Sequence, residues 1–179
     1  MLKTIAIIAV IVLVAVGAVL AYAATRPDTF SVQRSLDIKA PPDKVFALIT
    51  DLRGWTAWSP YEKRDPEMKR SYAGASSGKG SAYAWDGNRN VGAGRMEITD
   101  VAAPTKAVIA LDFLRPFKAQ NTAEFTLKPQ GDTTNVTWEM HGPNLYVGKV
   151  MGTFINMDRM IGKDFEDGLA NLKALAERS

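Results

Sequence analysis

The sequence predicts an α+β domain that follows an apolar N-terminal helix, and three patterns carry this prediction. Residues 4–25 contain no charged side chain, and short runs between residues 31 and 141 alternate apolar with polar side chains. From Met157 onward, apolar side chains recur every three or four positions. Alternation is typical of half-buried strands, and the wider spacing is typical of an amphipathic helix. Together they predict an antiparallel sheet whose apolar face is covered by a long C-terminal helix.

Residues 1–25 are predicted to form a transmembrane anchor, with the membrane contact made by residues 4–24. About 20 apolar residues in a helix span the roughly 30 Å hydrocarbon core of a bilayer. Lys3 precedes the apolar run, and Arg26 follows it. The very short tail before Lys3 favours an N-terminus left in the cytoplasm and an extracytoplasmic (periplasmic) domain.

A cleaved secretory signal is the alternative for the same segment. Ala21-Tyr22-Ala23 matches the small-residue cleavage pattern, so the chain would be secreted after cleavage near Ala23. The apolar stretch from Ile5 to Leu20 already exceeds the usual 7–15 residues of a signal sequence, which favours the anchor. Residues 26–29 are interpreted as a short linker.

The domain is predicted to begin with a strand and two short helices. Val32, Leu36 and Ile38 alternate with polar residues, and Pro41-Pro42 ends this strand. Proline is favoured in the first turn of a helix, so a helix over residues 43–49 follows. A second short helical piece is predicted from Asp51 to Gly54, ahead of an aromatic turn at residues 55–60.

Strands then continue to residue 141, giving a sheet of about six to seven strands. Each strand places alternate side chains on one face, and that face is apolar. The inward-facing side chains of these strands are predicted to include Tyr83, Trp85, Met96, Ile98, Leu111, Phe113, Phe125, Trp138 and Met140.

The C-terminal helix is predicted from a stripe of apolar residues on one side. The stripe consists of Met157, Ile161, Phe165, Leu169 and Leu172, with Leu175 or Ala176. Glycine destabilises a helix interior by up to about 1 kcal/mol relative to alanine. Four glycines between residues 148 and 168 therefore predict a break near Asn156, or close packing where the glycines lie.

Composition excludes several kinds of site. There is no cysteine, which excludes disulfides, thiolate catalysis and cysteine-based metal sites, and His141 is the only histidine. No metal site, cofactor or catalytic residue is therefore predicted. Of the 22 Lys and Arg residues, Lys3 and Arg26 precede the domain, whereas all 19 Asp and Glu follow Arg26. Such a nearly neutral domain is not expected to bind nucleic acid, and the mixed charges of residues 62–70 predict a solvated loop.

Three segments resemble a known family: IKAPPDKVFALITDLRGWTAWSPYE, GRMEITDV and MIGKDFEDGLANLKALAE. They are similar to the polyketide cyclase/dehydrase-like branch of the START and birch-pollen-allergen (SRPBCC) superfamily, and the similarity covers almost all of residues 30–178. The resemblance implies a helix-grip fold for residues 30–179, in which a curved antiparallel sheet wraps the C-terminal helix. It also implies a pocket for lipids, sterols, polyketides or other apolar molecules.

Within that pocket, apolar side chains are better candidates than titratable ones. By strand alternation His141, Glu97, Glu124 and Glu139 face outward, so Tyr83 is the best inward-facing hydrogen-bond donor. The ligand-binding residues that we expect are Trp58, Tyr83, Trp85, Met96, Ile98, Leu111, Phe113, Phe125, Trp138, Met140, Met157, Ile161 and Phe165.

These patterns favour a membrane-tethered module that binds a hydrophobic small molecule or lipid between the sheet and the C-terminal helix. A polyketide cyclase or dehydratase is one alternative, and it rests on the family resemblance alone. An envelope stress-response or protein-interaction module is another. The sequence leaves the oligomeric state open.

Overall fold

The computed structural model describes residues 2–178. Met1 of the predicted anchor and Ser179 of the predicted domain lie outside the described residues. The chain starts with α1 (Leu2–Ala24), continues into an antiparallel sheet flanked by short helices, and finishes with a long helix. α1 is long and apolar enough to cross a membrane, a property that signal sequences share.

The sheet has seven strands, and every neighbouring pair is antiparallel. The strands are β1 (Thr29–Ile38), β2 (Lys69–Gly74), β3 (Ser81–Asp86), β4 (Ala93–Ala102), β5 (Lys106–Arg115), β6 (Ala119–Gln130) and β7 (Thr133–Pro143). Their order across the sheet is β1-β7-β6-β5-β4-β3-β2, so the last strand pairs with the first. This sheet, with helices on its inner face, confirms the predicted α+β helix-grip fold.

Two short helices follow β1, as predicted, although the second lies further along the chain than expected. α2 spans Pro42–Thr50, and a 3-10 helix spans Gly54–Ala57, where the sequence predicted an aromatic turn. Trp55 anchors this 3-10 helix, because its indole Nε1 donates to the carbonyl of Ile49 at 2.8 Å. A turn held in this way brings the aromatic residues that follow it under the sheet.

The C-terminal region contains α3 (Tyr146–Phe154) and α4 (Met157–Ala176). The predicted break near Asn156 is confirmed: its side chain accepts a hydrogen bond from the Arg159 amide at 2.9 Å and so caps α4. Farther along α4, a Cβ at Gly162 would lie 1.9 Å from the guanidinium of Arg34. Glycine therefore lets α4 approach β1, its main partner on the sheet.

The end of α1 is bound to the domain through α3. The Tyr146 hydroxyl donates to the Leu20 carbonyl at 2.8 Å, and the Asn144 amide donates to the Asp28 carbonyl at 2.7 Å. Lys149, which is buried, pairs with the Asp28 carboxylate at 2.5 Å and lowers its pKa. Hydrogen bonds and an ion pair thus hold the end of α1 and the segment after it against the domain.

Candidate ligand-binding face

The inner side chains of the sheet form a concave face that divides into two halves along the strands. We call the part beneath α4 and the 3-10 helix the filled half; it contains Phe125, Trp138, Ile109 and other fully buried side chains. We call the remaining part the open half. It lies at the end of the sheet that α1 joins, where β1 begins and β7 ends, and this end is called the α1 end. The open half contains Phe30, Trp85, Leu111, Phe113 and Asn121, all of which are half-buried.

Aromatic rings occupy the filled half. Phe165 of α4 stacks on Trp138 with ring centroids 4.2 Å apart and planes 9° apart. Phe125 also stacks on Trp138, with ring centroids 4.9 Å apart and planes 29° apart. Trp55 and Trp58 pack against the same rings. Because these five rings are almost completely buried, the space between the sheet and this part of α4 is filled by the protein's own side chains.

Glycine allows this close packing. A Cβ at Gly168 would lie 2.7 Å from Cζ3 of Trp138 and 3.1 Å from Cδ of Pro60, closer than side-chain carbons normally approach. The Trp138 ring thus fits beneath α4 only because position 168 has no side chain. The predicted hollow is therefore absent beneath this part of α4.

The open half lies farther toward the α1 end on the same strands. Leu111 pairs with Asn121, and Phe113 pairs with Ala119, across β5 and β6. Trp85 lies across Gly94, where a Cβ would be 2.5 Å from the indole, and its ring meets Phe113 edge-on at 5.8 Å. The half-buried state of these side chains leaves an apolar surface in contact with solvent.

A shallow depression of about 340 Å³ lies at this end of the sheet, between β1 and β7. It is lined by Thr29, Phe30, Ser31, His141 and Gly142. His141 is exposed and faces outward, which confirms its predicted position. It therefore lies on the outer face at this end of the sheet and not in the interior.

The predicted ligand-binding residues are divided between the two halves. Those in the filled half are Trp58, Ile98, Phe125, Trp138 and Phe165. Those in the open half are Trp85, Leu111 and Phe113. Buried at the border between the halves are Tyr83, Met96 and Met140. Met157 and Ile161 lie half-buried in the first turns of α4. The structure thus brings together two groups where the sequence predicted one.

A buried polar cluster lies beside Tyr83. Its hydroxyl donates to Oε1 of Glu62 at 2.9 Å, and Arg70 donates to Oε2 at 2.7 Å. Burial, together with the hydrogen bond to Glu62, raises the pKa of Tyr83. The solvated loop predicted for residues 62–70 is therefore wrong at Glu62, which the ion pair with Arg70 allows to be buried.

Two buried side-chain atoms of residues 2–178 have no hydrogen-bond partner: Asn121 Oδ1 and Trp138 Nε1. Asn121 lies where the filled half meets the open half, and its amide nitrogen is 4.0 Å from the sulfur of Met140. A buried polar atom without a partner carries a desolvation cost. Asn121 is thus the group on this face best placed to receive a hydrogen bond from a bound molecule.

Sequence reasoning missed four residues of this face. Asn121 and Arg34 occupy inward positions by strand alternation, so the signal was present for both. Trp55 was assigned to a turn and Glu62 to a solvated loop. The sequence around these two residues shows no periodic pattern from which their burial could be predicted. Among residues 2–178, no group of three or more His, Asp or Glu side chains is arranged to hold a metal ion.

Comparison with known proteins supports the fold. A family model described as polyketide cyclase/dehydrase and lipid transport matches residues 29–177. A protein from Chromobacterium violaceum is 13% identical with a TM-score of 0.59, and the match covers 86% of this chain and 100% of that one. Major latex-like protein 151 from Panax ginseng is 12% identical with a TM-score of 0.57, covering 85% of this chain and 100% of that one.

A further structural neighbour is the di-domain ARO/CYC protein BexL from the BE-7585A biosynthetic pathway. It is 16% identical with a TM-score of 0.61, and the match covers 89% of this chain and 54% of that one. No curated protein matches the sequence. At these identities the neighbours establish the fold, and the family model establishes membership. The chain belongs to the polyketide cyclase/dehydrase and lipid transport family of the SRPBCC superfamily.

Proposed function

We propose that this protein is a membrane-anchored module that binds a hydrophobic small molecule or lipid on the open half of its concave face, without catalysis of its own. One observation carries the proposal: Trp85, Leu111 and Phe113 form a half-buried apolar surface directly beside a completely packed one. Covering apolar surface contributes about 25 cal/mol per Å². A bound apolar molecule would complete the core at this end.

The comparisons support the same class of ligand. The family description includes lipid transport, and one neighbour is an ARO/CYC protein from a biosynthetic pathway. Asn121 Oδ1 adds a hydrogen-bond acceptor that suits a ligand with one hydroxyl group among apolar atoms. Such a ligand resembles a lipid or a polyketide more closely than it resembles a sugar or a nucleotide.

The anchor is part of the proposal, with the domain on the extracytoplasmic side. Ala102 is exposed at the end of β4, and the natural chain has no cysteine. In intact cells, Ala102→Cys should react with a membrane-impermeant thiol reagent and should fractionate with membranes at full length. A shortened, soluble product would instead show cleavage near Ala23, and a thiol that reacts only after lysis would place the domain inside.

Binding is tested on the full chain in detergent by titration with the fluorescent fatty acid cis-parinaric acid. Phe113→Ala should weaken the affinity roughly tenfold, since about 1.4 kcal/mol of lost burial corresponds to that factor. The matched control is Phe46→Ala, because Phe46 is a half-buried phenylalanine of α2 that also packs on the core. Equal affinities for the two variants, or no binding by the natural chain, would contradict the proposal.

One observation favours the second candidate, a cyclase or dehydratase. Tyr83 and Glu62 form a buried hydrogen-bonded pair at the border of the open half, and such pairs can transfer protons. The Tyr83 hydroxyl is already donated to Glu62, and its raised pKa makes it a weaker acid. Conversion of a polyketide-like substrate by the natural chain, abolished in Tyr83→Phe, would favour the enzyme over the binding module.

A further inference from the structure

The exposed large apolar side chains of the domain are gathered at one end. Among residues 2–178 and outside α1, they are Leu114, Phe117, Leu145, Tyr146, Val147, Phe154, Ile155 and Met160. They belong to the end of β5 and the β5–β6 turn, to α3 with the residues that flank it, and to the start of α4. β6 begins at the end of the sheet where β7 finishes, since these two strands are paired and antiparallel. The β5–β6 turn and α3 therefore lie at one end of the molecule, which is the end that α1 joins.

The junction with α1 fixes where this end lies relative to a bilayer. Tyr146 donates to the carbonyl of Leu20, which belongs to the apolar part of α1. If α1 spans a membrane, Tyr146 lies at the depth of Leu20, close to the boundary between acyl chains and headgroups. Tyr22 and Tyr146 are both about half exposed there, which is the usual place for tyrosine in membrane proteins. α3 begins at Tyr146 and so starts at that depth.

Cationic side chains accompany the exposed apolar side chains at the α1 end. At the α1 end, Arg26, Lys118 and Arg159 have no ion-pair partner within residues 2–178. Unpaired cations among exposed apolar side chains match the anionic headgroups and acyl chains of a bilayer surface.

We propose that the α1 end of the domain rests on the lipid bilayer, with α3 and the β5–β6 turn in the headgroup layer. This proposal rests on the anchor of the proposed function. The open half of the concave face lies at the same end, so it faces the lipid. The ligand class this geometry selects is an amphiphile that is already dissolved in the membrane, because it reaches Phe113 and Leu111 without crossing bulk water.

The test uses the full chain in vesicles of phosphatidylcholine and phosphatidylglycerol. Because the natural chain has no cysteine, a single nitrobenzoxadiazole label can be placed through Val147→Cys or Phe117→Cys. Leu13→Cys, in the middle of α1, reports on the anchor, and Ala102→Cys reports on the opposite end. Each labelled variant must keep the near-ultraviolet circular dichroism of the unlabelled chain. Quenching is measured with lipids that carry a nitroxide near the headgroup or near the acyl-chain end.

The proposal expects loss of fluorescence at Val147 and Phe117 with the shallow nitroxide, at Leu13 with the deep nitroxide, and at Ala102 with neither. If the label at Leu13 is quenched while the labels at Val147 and Phe117 behave like the label at Ala102, the proposal is wrong, although α1 is still a membrane anchor. The exposed apolar end would then be a surface for a protein partner. Quenching at Val147 without Phe117 also overturns it, because the β5–β6 turn would then lie away from the lipid. An unquenched Leu13 removes the anchor, and this proposal with it.

Discussion

The filled half and the open half of the concave face are built from the same strands and the same kinds of side chain, but they differ in what covers them. Trp138 and Trp85 both point inward from their strands. Trp138 is 3% exposed beneath Phe165, whereas Trp85 is only half-buried. The comparison shows that side-chain type alone does not decide which part of the concave face is packed. The apolar surface is left open where the helical cover ends.

The largest effect is expected from Trp138→Ala, because it removes the central ring of the filled half. Replacing a buried tryptophan by alanine costs about 3–5 kcal/mol. Phe113→Ala in the open half should cost about 1 kcal/mol, since that ring is already partly exposed. Guanidinium chloride unfolding of the full chain in detergent, followed by circular dichroism, measures both free energies of unfolding. Similar losses would show that the two halves are packed alike.

A smaller effect is expected from Gly168→Ala, which tests how tightly α4 lies on the filled half. The new methyl group would meet the Trp138 ring, and overpacking of this kind costs about 1–3 kcal/mol. Gly152→Ala in α3 is the control, since a Cβ there has nothing within 4 Å. The control should instead stabilise by up to about 1 kcal/mol through helix propensity. Stabilisation by both substitutions would show that α4 has room above Trp138.

The border between the halves is tested by titration of Tyr83. Its pKa is raised above the ordinary value of 10.0 by burial and by the hydrogen bond to Glu62. The stability that protonated Tyr83 gives the folded chain is therefore fully present below pH 10.0. It is lost as the pH rises toward the pKa of Tyr83 in the folded chain, because this tyrosine ionises first in the unfolded chain. Tyrosinate absorbance of the natural chain and of Tyr83→Phe isolates this step. Ionisation of Tyr83 near pH 10 in the folded chain would show that water reaches the border.

The smallest change in stability is expected from Asn121→Leu. This substitution removes a buried oxygen that has no partner among residues 2–178, so stability should stay unchanged or rise by up to about 1 kcal/mol. Affinity for a fatty alcohol, whose hydroxyl can donate to Asn121 Oδ1, should fall more than affinity for cis-parinaric acid, whose carboxylate only accepts hydrogen bonds. A loss of more than about 2 kcal/mol in the same unfolding experiment would reveal a buried water on Asn121.

Much of the fold was predictable because alternation and helical spacing are local patterns. The inward residues Val136, Trp138 and Met140 and the capped break at Asn156 follow from such patterns. The 3-10 helix was misplaced because four residues are too short to show a period. Its position depends on the Trp55 indole bonding to Ile49, a contact that only the folded chain contains.

The inward-facing residues of the strands could be predicted, but which of them are covered by α4 could not. Which rings are covered depends on where α4 crosses the sheet. That crossing is set by Arg34 against Gly162 and by Trp138 against Gly168, which are contacts between distant parts of the chain. The burial of Glu62 depends in the same way on Arg70 and Tyr83. Sequence periodicity contains no information about these pairings.

The hydrogen-bonded segment between Ala24 and Thr29 limits how far the domain can move away from α1. Four extended residues reach at most about 14 Å, and here Thr25, Arg26 and Asp28 are held by backbone hydrogen bonds. With α1 in a bilayer, the domain samples a thin layer of water beside the membrane. If the proposed ligand is exchanged with a soluble protein, that protein must collide with this layer, so the rate of exchange should follow the number of copies per membrane area.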